Sequence, residues 1–304
     1  MREYTIPSAT GLCDLHVCVW ECETAPRAVV QIVHGMSEYI LRYDAFARYL
    51  SQNGILAIGF DNASHGQSWE EGAPRGYFGA QHGWDSLITD LRVVQESTQA
   101  EYPSLPYILF GHSMGSFLAR SYAARHGEGI DAFIFMGTAG PNPAQKLAER
   151  MARQQINALG PSGVSHTLNK IAFGAYNRGF RPQRTAFDWL SREPGSVDAY
   201  VADAACGFPF TAAGYRDLFE GLGEISKKKW AGQVPHKPIL MLSGMMDPVA
   251  GKDARGVKLV ADRLVKSGHE VELLLYAGAR HELLNETNRD EVMADILSFI
   301  ERQV

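Results

Sequence analysis

Short apolar, β-branched runs alternate with segments of helical periodicity over the first 140 residues of this 304-residue chain. Apolar runs that predict buried strands lie at 28–33, 55–60, 107–110, 132–136, 238–242 and 271–276. A further run at 15–20 alternates and predicts one strand of an N-terminal antiparallel pair. Strands separated by helices in this way are typical of a mostly parallel sheet with helices on its faces. The sequence therefore predicts an α/β fold.

Apolar side chains spaced three and four residues apart predict helices between these strands. One such stripe is Trp84, Leu87, Ile88, Leu91 and Val94, and a shorter one is Phe46, Tyr49 and Leu50, followed by Gly54. Two more lie late in the chain: Val257, Val260, Leu264 and Val265, ended by Gly268, and Val292, Met293, Ile296, Leu297 and Ile300.

One connection is far longer than the others. About 100 residues separate the strand ending near Met136 from the strand starting at Pro238, well beyond an ordinary crossover. This stretch is rich in aromatic residues and carries its own turn signals, such as Gly160-Pro161 and Pro194-Gly195. It predicts a helical insertion seated on the sheet, with residues 1–140 and 237–304 as the core and residues 141–236 as the insertion.

Composition and charge exclude several function classes. The content of 45% hydrophobic and 21% charged residues is that of an ordinary globular protein. A net charge of −5 without a long basic run argues against nucleic-acid binding. No histidine–carboxylate cluster has the spacing of metal ligands, and neither a phosphate loop nor a dinucleotide-binding glycine motif is present, so no metal or cofactor is expected.

The four cysteines lack the paired spacing of a zinc or redox motif, and we expect them to be reduced. The N-terminus has no apolar segment of the length that a signal peptide needs. No apolar run approaches the roughly 18 residues of a membrane span, so stable membrane insertion is not expected. These features predict a cytoplasmic protein.

The chemistry is indicated by Gly111-His112-Ser113-Met114-Gly115, which matches the pattern G-x-S-x-G. The motif lies between the predicted strand 107–110 and a helical stretch, which is the context it requires. In that setting a sharp turn exposes the serine hydroxyl above the sheet. Ser113 is the predicted nucleophile, while His112 is expected to support the site.

A serine nucleophile needs a histidine base oriented by a carboxylate. Asp247 follows the strand 238–242, and His281 follows the strand 271–276, so both are expected at the same sheet edge as Ser113. Three competing acids are less well placed. Asp253 lies where a helix should begin, Glu282 directly follows the histidine, and Asp131 lies at the opposite edge.

Acyl transfer also needs donors for a developing oxyanion. We expect the first from the backbone N–H of Met114 and the second from the backbone N–H of Met36, which follows the strand 28–33. The residues beside these donors are expected to line the substrate side of the site: His34, Gly35, His112 and Ser116. His65, in the turn after the strand 55–60, is expected to be structural.

With these residues placed, the sequence resembles the α/β-hydrolase superfamily, and within it the monoacylglycerol lipase and lysophospholipase-like group. The similarity is strongest at 34–36, 60–68, 111–115 and 278–281. It implies a helical cap after the sixth strand of the core sheet, and the nucleophile, acid, base and oxyanion donors assigned above. Two departures stand out: Met36-Ser37-Glu38, where the group often has a small residue and Gly-Glu, and Ser116, where it tends to have glycine.

The leading hypothesis is a serine hydrolase that cleaves carboxylic esters through an acyl-enzyme, with a small, lipid-like ester as substrate. Monoacylglycerols and lysophospholipids are both compatible with the aromatic insertion. A peptidase or amidase with the same machinery is the alternative, with Glu193, Asp198 or Glu220 as candidates to bind a substrate amino group. A non-catalytic ligand-binding protein of the same fold is a third hypothesis, disfavoured because all three triad residue types are present.

Overall fold

The computed structural model describes residues 1–304. Its strands are β1 (Arg2–Pro7), β2 (Asp14–Trp20), β3 (Ala28–Val33), β4 (Ile55–Phe60), β5 (Tyr107–His112), β6 (Ala132–Met136), β7 (Ile239–Gly244) and β8 (Val271–Tyr276). Its α-helices are α1 (Asp44–Gln52), α2 (Gly83–Glu101), α3 (Met114–His126), α4 (Gln145–Leu159), α5 (His166–Phe173), α6 (Pro194–Ala202), α7 (Ala212–Ile225), α8 (Arg255–Lys266) and α9 (Arg289–Glu301).

The eight strands form one sheet in the order β1-β2-β4-β3-β5-β6-β7-β8. The strands from β3 to β8 pair in parallel, and β2 pairs antiparallel with both β1 and β4. The predicted mostly parallel sheet is confirmed, including the N-terminal antiparallel pair. The partner strand of that pair, β1, is one that the sequence did not predict.

Neighbouring residues of the central strands face two hydrophobic cores, because successive side chains of a strand point to opposite faces. Val29 and Val33 of β3 belong to a core that includes side chains of α2, α3 and α8. Val30 and Ile32 belong to the other, which includes side chains of α1 and α9. The predicted stripes of these helices supply those contacts, except that Val265 is 55% exposed.

Four helices, α4 to α7, lie between β6 and β7. Helix α7 packs against α2 and α3, and its Tyr215, Leu218 and Phe219 join the core on that face of the sheet. A separate small cluster forms within the insertion from Phe180, Trp189, Leu190 and Tyr200. The insertion thus combines a helix anchored on the sheet domain with an aromatic cluster of its own.

None of the helices has both the length and the apolar character needed to cross a bilayer.

Candidate active site

The three predicted triad residues follow three strands of the parallel part of the sheet. Ser113 stands between the last residue of β5 and the first residue of α3. Asp247 follows β7, and His281 follows β8. Because the carboxyl ends of parallel strands lie at one edge of a sheet, the three loops meet there.

Ser113 occupies a sharp turn, with φ 52° and ψ −121°. This backbone conformation is strained for a residue with a side chain, and such strain is expected at a nucleophile elbow. The Ser113 N–H donates to the Met136 carbonyl at 3.0 Å. Two residues later, a Cβ on Gly115 would lie 2.0 Å from the Val33 carbonyl oxygen, so only glycine fits there. Close packing of the elbow against β3 therefore keeps Ser113 in this conformation.

His281 and Asp247 form a buried pair. The His281 Nδ1–H donates to Asp247 Oδ2 at 2.9 Å, and their side chains are 2% and 0% exposed. Burial disfavours the imidazolium, but the Asp247 carboxylate outweighs it and raises the pKa of His281. Because Nδ1–H donates to the Asp247 carboxylate, Nε2 of the neutral ring carries the lone pair that can accept a proton. This is the state that a general base needs.

The turn after β3 lies against the nucleophile. A Cβ added to Gly35 would be 3.1 Å from the Ser113 Cβ, which places the Gly35 backbone beside that side chain. The Gly35 N–H is not free, because it donates to Glu38 Oε1 at 2.6 Å. Met36, whose backbone N–H is the second predicted oxyanion donor, directly follows Gly35. Met114 is the first residue of α3, where backbone N–H groups have no acceptor within the helix.

Ser113 and His281 line one cavity between the sheet edge and the insertion. Three predicted site residues, Gly35, Met36 and His112, line it as well. Seven of its sixteen lining residues are hydrophobic: Met36, Phe173, Phe187, Trp189, Leu190, Tyr200 and Phe208. No lysine or arginine is among the lining residues. The Trp189 and His281 ring centroids are 5.0 Å apart, so part of this apolar wall lies directly on the histidine.

Two residues predicted to line the substrate side do not reach the cavity. His34 is fully buried; its Nδ1–H donates to the Gly35 carbonyl at 2.8 Å, and its Nε2 accepts the Asn62 N–H at 2.8 Å. Ser116 is also fully buried, and its hydroxyl donates to the Ser113 carbonyl at 2.6 Å. Both side chains are held by the backbone of the site, so they support it from beneath and are not placed to contact substrate.

A buried ion network next to the cavity escaped the sequence analysis. Arg42 donates to Glu38 Oε2 at 2.5 Å, and to both carboxylate oxygens of Glu282 at 2.7 Å. These side chains are between 4% and 12% exposed. Burial alone would raise the pKa of Glu38, but Arg42 and His112 lower it well below the usual range. The spacing of Glu38 and Arg42 by four residues was the one available signal, and nothing in the sequence linked them to Glu282.

The network ties the two loops of the site together. Glu38 binds the turn that carries Met36, and Glu282 directly follows His281 in the chain. His112 adds a second link, with Nδ1 2.8 Å from Tyr43 Oη and Nε2 3.3 Å from the His281 carbonyl oxygen. His112 thus both lines the cavity and supports the loop of His281.

The competing acids have other partners. Asp131 accepts the Tyr107 N–H at 2.8 Å, and Glu282 is held by Arg42. Asp253 lies in a left-handed turn just before α8, with φ 54°. None of them contacts His281 through a side-chain hydrogen bond, so Asp247 is its carboxylate partner.

One group of side chains on β1 and β2 has the composition of a metal site: Glu3, His16 and Cys18. Their spacing in the sequence did not predict this group. The Cys18 sulfur lies 3.9 Å from His16 Nδ1 and 3.6 Å from Nε2, farther from each nitrogen than the carboxylate oxygen that contacts it. The His16 nitrogens are instead within 3.0 Å of the carboxylates of Asp61 and Glu3. This arrangement suits an imidazolium between two carboxylates better than a bound metal.

Comparison with known proteins places the chain among enzymes. Residues 24–288 match the family described as serine aminopeptidase, S33. The monoacylglycerol lipase of Mycolicibacterium smegmatis is 30% identical over 287 residues, covering 93% of this chain and 91% of that protein. The human monoglyceride lipase is 28% identical over 269 residues, covering 88% and 79%.

Solved structures agree in fold. A thermostable carboxyl esterase from Bacillus coagulans, in complex with glycerol, superposes with a TM-score of 0.91 at 28% identity, covering 100% of this chain and 99% of that one. A soluble variant of the Saccharomyces cerevisiae monoglyceride lipase superposes with a TM-score of 0.75 at 18% identity, covering 100% and 95%. The family match and the similarity to these relatives agree, and the chain belongs to the serine aminopeptidase S33 family of the α/β-hydrolase superfamily.

Proposed function

We propose that this protein is a serine hydrolase that cleaves carboxylic esters with Ser113, Asp247 and His281. The observation that carries the proposal is that Ser113 and His281 line one cavity and that His281 is paired with the buried Asp247 behind it. In the first step, Ser113 Oγ attacks the ester carbonyl while His281 Nε2 takes its proton. The Met36 and Met114 N–H groups donate to the oxyanion that forms on the carbonyl oxygen.

The tetrahedral intermediate then collapses. The alkoxy group leaves with the proton from His281, and the acyl group remains on Ser113. Water attacks this ester while His281 again takes a proton, and a second collapse releases the carboxylic acid and the free serine. The Asp247 carboxylate stabilises the imidazolium in both halves, which is consistent with the raised pKa of His281.

The lining of the cavity favours a neutral, lipid-like ester. Its aromatic and aliphatic side chains suit an acyl chain. A phosphate head group would need a permanent cation, but no lysine or arginine lines the cavity, and the nearby Arg42 is bound by two carboxylates. The relatives are named as monoacylglycerol lipases, and the sequence resemblance also includes lysophospholipases. Of these two substrate classes, a monoacylglycerol therefore fits the cavity better than a lysophospholipid.

We further propose that residues 141–236 act as the cap of this cavity and that residues 1–140 and 237–304 form the catalytic core. Phe173, Phe187, Trp189, Tyr200 and Phe208 of the insertion all line the cavity. The insertion would thus select the substrate while the core supplies the chemistry. The four free cysteines suit a reducing compartment, which supports a cytoplasmic location.

The family description favours a peptidase as the second candidate. A substrate amino group would need an unpaired carboxylate in the cavity. Glu193, Asp198 and Glu220 do not line the cavity, and the two carboxylates that do, Glu38 and Glu282, are both held by Arg42. This pairing weighs against recognition of an amino terminus.

A panel of substrates tests the proposal: p-nitrophenyl esters of increasing chain length, monoacylglycerols, lysophospholipids and aminoacyl amides. We expect the highest kcat/KM with the neutral lipid ester and little turnover of amides. Preference for aminoacyl amides would support the peptidase, and preference for lysophospholipids would refute the argument from the missing cation.

A further inference from the structure

Ser37, in the turn after β3, has a backbone conformation that costs free energy. Its φ is 55°, in the left-handed region where residues with a Cβ are strained, and the residue is 4% exposed. A buried residue keeps such a conformation only where its surroundings hold it. The partners of Ser37 therefore show what fixes this turn.

Those partners all belong to the insertion. The Ser37 hydroxyl donates to the Phe208 carbonyl at 2.6 Å. The Ser37 carbonyl accepts the Gly207 N–H at 2.9 Å and the Tyr200 hydroxyl at 3.1 Å. Two residues further along, the Tyr39 hydroxyl donates to Asp203 Oδ2 at 2.6 Å. The segment 200–208, which spans the end of α6 and the loop after it, thus binds the turn at four points.

The core holds the same turn from its other side. Glu38 accepts the Gly35 N–H at 2.6 Å, and Asp61 accepts the Ile40 N–H at 2.7 Å. Met36 lies between Gly35, which is fixed by the core, and Ser37, which is fixed by the insertion. Tyr200 and Phe208 also line the cavity, so a bound substrate contacts the segment that holds Ser37.

We propose that Ser37 is a positioning residue that couples the segment 200–208 to the oxyanion hole. The Met36 N–H then has its catalytic orientation only while this segment is seated on the turn. The inference rests on the proposed ester-hydrolase function. Ser37 takes no part in bond making, because the Phe208 carbonyl engages its hydroxyl.

Ser37→Gly tests the coupling, since glycine adopts this φ without strain, removes the hydroxyl bond to Phe208 and keeps the carbonyl that accepts from Gly207 and Tyr200. We expect an unchanged or higher Tm, but a kcat/KM for a p-nitrophenyl ester that is about 10-fold lower, mostly through kcat. This is less than the 10²–10³-fold loss that follows deletion of an oxyanion donor. A trifluoromethyl ketone, which forms an oxyanion on Ser113, should bind more weakly by a similar factor. The carboxylic acid product should bind unchanged.

Ser64→Gly is the matched control. Ser64 also has a positive φ (66°), is 8% exposed and donates to a backbone carbonyl, that of Pro74 at 3.0 Å, but it does not line the cavity. We expect this variant to keep wild-type kcat and ketone affinity. If Ser37→Gly does not fold, Tyr39→Phe removes the Asp203 bond of the same segment and should weaken kcat and ketone binding in the same direction.

The outcomes separate the two proposals. If the wild type hydrolyses esters and Ser37→Gly (or Tyr39→Phe in its place) keeps full kcat and ketone affinity, the coupling is refuted and the function stands. An equal loss in Ser64→Gly also refutes it. If the wild type hydrolyses no ester and Ser113 does not react with a fluorophosphonate, the proposed function itself fails.

Discussion

Replacing Arg42 by methionine should destabilise the protein far more than an ordinary loss of an ion pair. The substitution keeps most of the aliphatic stem but leaves two carboxylates, Glu38 and Glu282, that are 4% and 5% exposed at their side chains. Removing one partner of a buried ion pair costs about 3–5 kcal/mol, because the remaining charge is left without compensation.

The expected change in melting temperature follows from the size of the chain. At about 2.1 cal/mol/K per residue, 304 residues give an unfolding entropy of about 0.64 kcal/mol/K. A loss of about 3–5 kcal/mol then lowers Tm by about 5–8 °C. Differential scanning calorimetry at pH 8 measures this shift.

The pH dependence tests the cause. In the wild type, the pKa of Glu38 is depressed, so its contribution to stability is present above the unfolded pKa of about 4.3 and is lost as the pH falls through the folded pKa. In Arg42→Met, the largest charge that opposes the effect of burial is lost, and His112 alone does not replace it, so the pKa of Glu38 rises relative to the wild type. Lowering the pH then protonates Glu38 more readily in the variant and stabilises it relative to the wild type. The difference in Tm between wild type and variant should therefore shrink between pH 8 and pH 5.

Arg48→Met is the matched control. Arg48 pairs with Asp44 at 2.7 Å, but its side chain is 57% exposed. An exposed pair of this kind is screened by water and contributes little to stability, so its loss should lower Tm by less than about 1 °C. A fall of less than 2 °C in Arg42→Met at pH 8, or a difference that does not depend on pH, would refute the reasoning.

Two further substitutions test single groups. Asp247→Asn should lower kcat about 10³–10⁴-fold with the fold intact, and the acidic limb of the wild-type pH–rate profile should have its midpoint above the ordinary histidine pKa of 6.5; a midpoint below 6.5 would contradict the assignment. His16→Gln should lower the free energy of unfolding by about 1.5–3 kcal/mol at pH 7, because His16 lies between Asp61 and Glu3 and its pKa is raised to about 11. Since that stabilisation is complete below pH 6.5 and is lost as the pH rises through about 11, urea unfolding should show a smaller difference at pH 10 than at pH 7, and a constant difference would argue against an imidazolium.

Local sequence patterns were enough to predict the sheet and the triad residues in the loops at its carboxyl edge. Ser113, Asp247 and His281 each lie within five residues of the end of an apolar run, so the parallel sheet itself brings them to one edge. Strand β1 was harder to predict because its burial alternates between intermediate and exposed positions, and its apolar signal is weak. Its antiparallel pairing with β2 identifies it as a strand, although its own sequence has no clear strand pattern.

Long-range contacts account for most of what the sequence did not predict. The sequence presents Glu282 only as a less well placed competitor of Asp247, yet it binds Arg42, 240 residues earlier in the chain, and lines the cavity. Ser37 shows its significance only through its φ and its bonds to the insertion 163 and 171 residues later. His34 and Ser116 flank the predicted machinery in sequence, but their side chains turn to backbone groups beneath it. Such partners are set by packing between distant segments, which no local pattern reports.

Peptide mass spectrometry after reaction with a fluorophosphonate tests the assignment of the nucleophile most directly. The folded wild type should carry the phosphonyl group on Ser113 alone, with ester hydrolysis lost in proportion to labelling. Ser113→Ala should neither be labelled nor turn over a p-nitrophenyl ester above a background several orders of magnitude lower. Labelling of a different residue, or wild-type hydrolysis by Ser113→Ala, would contradict the assignment of Ser113 as the nucleophile.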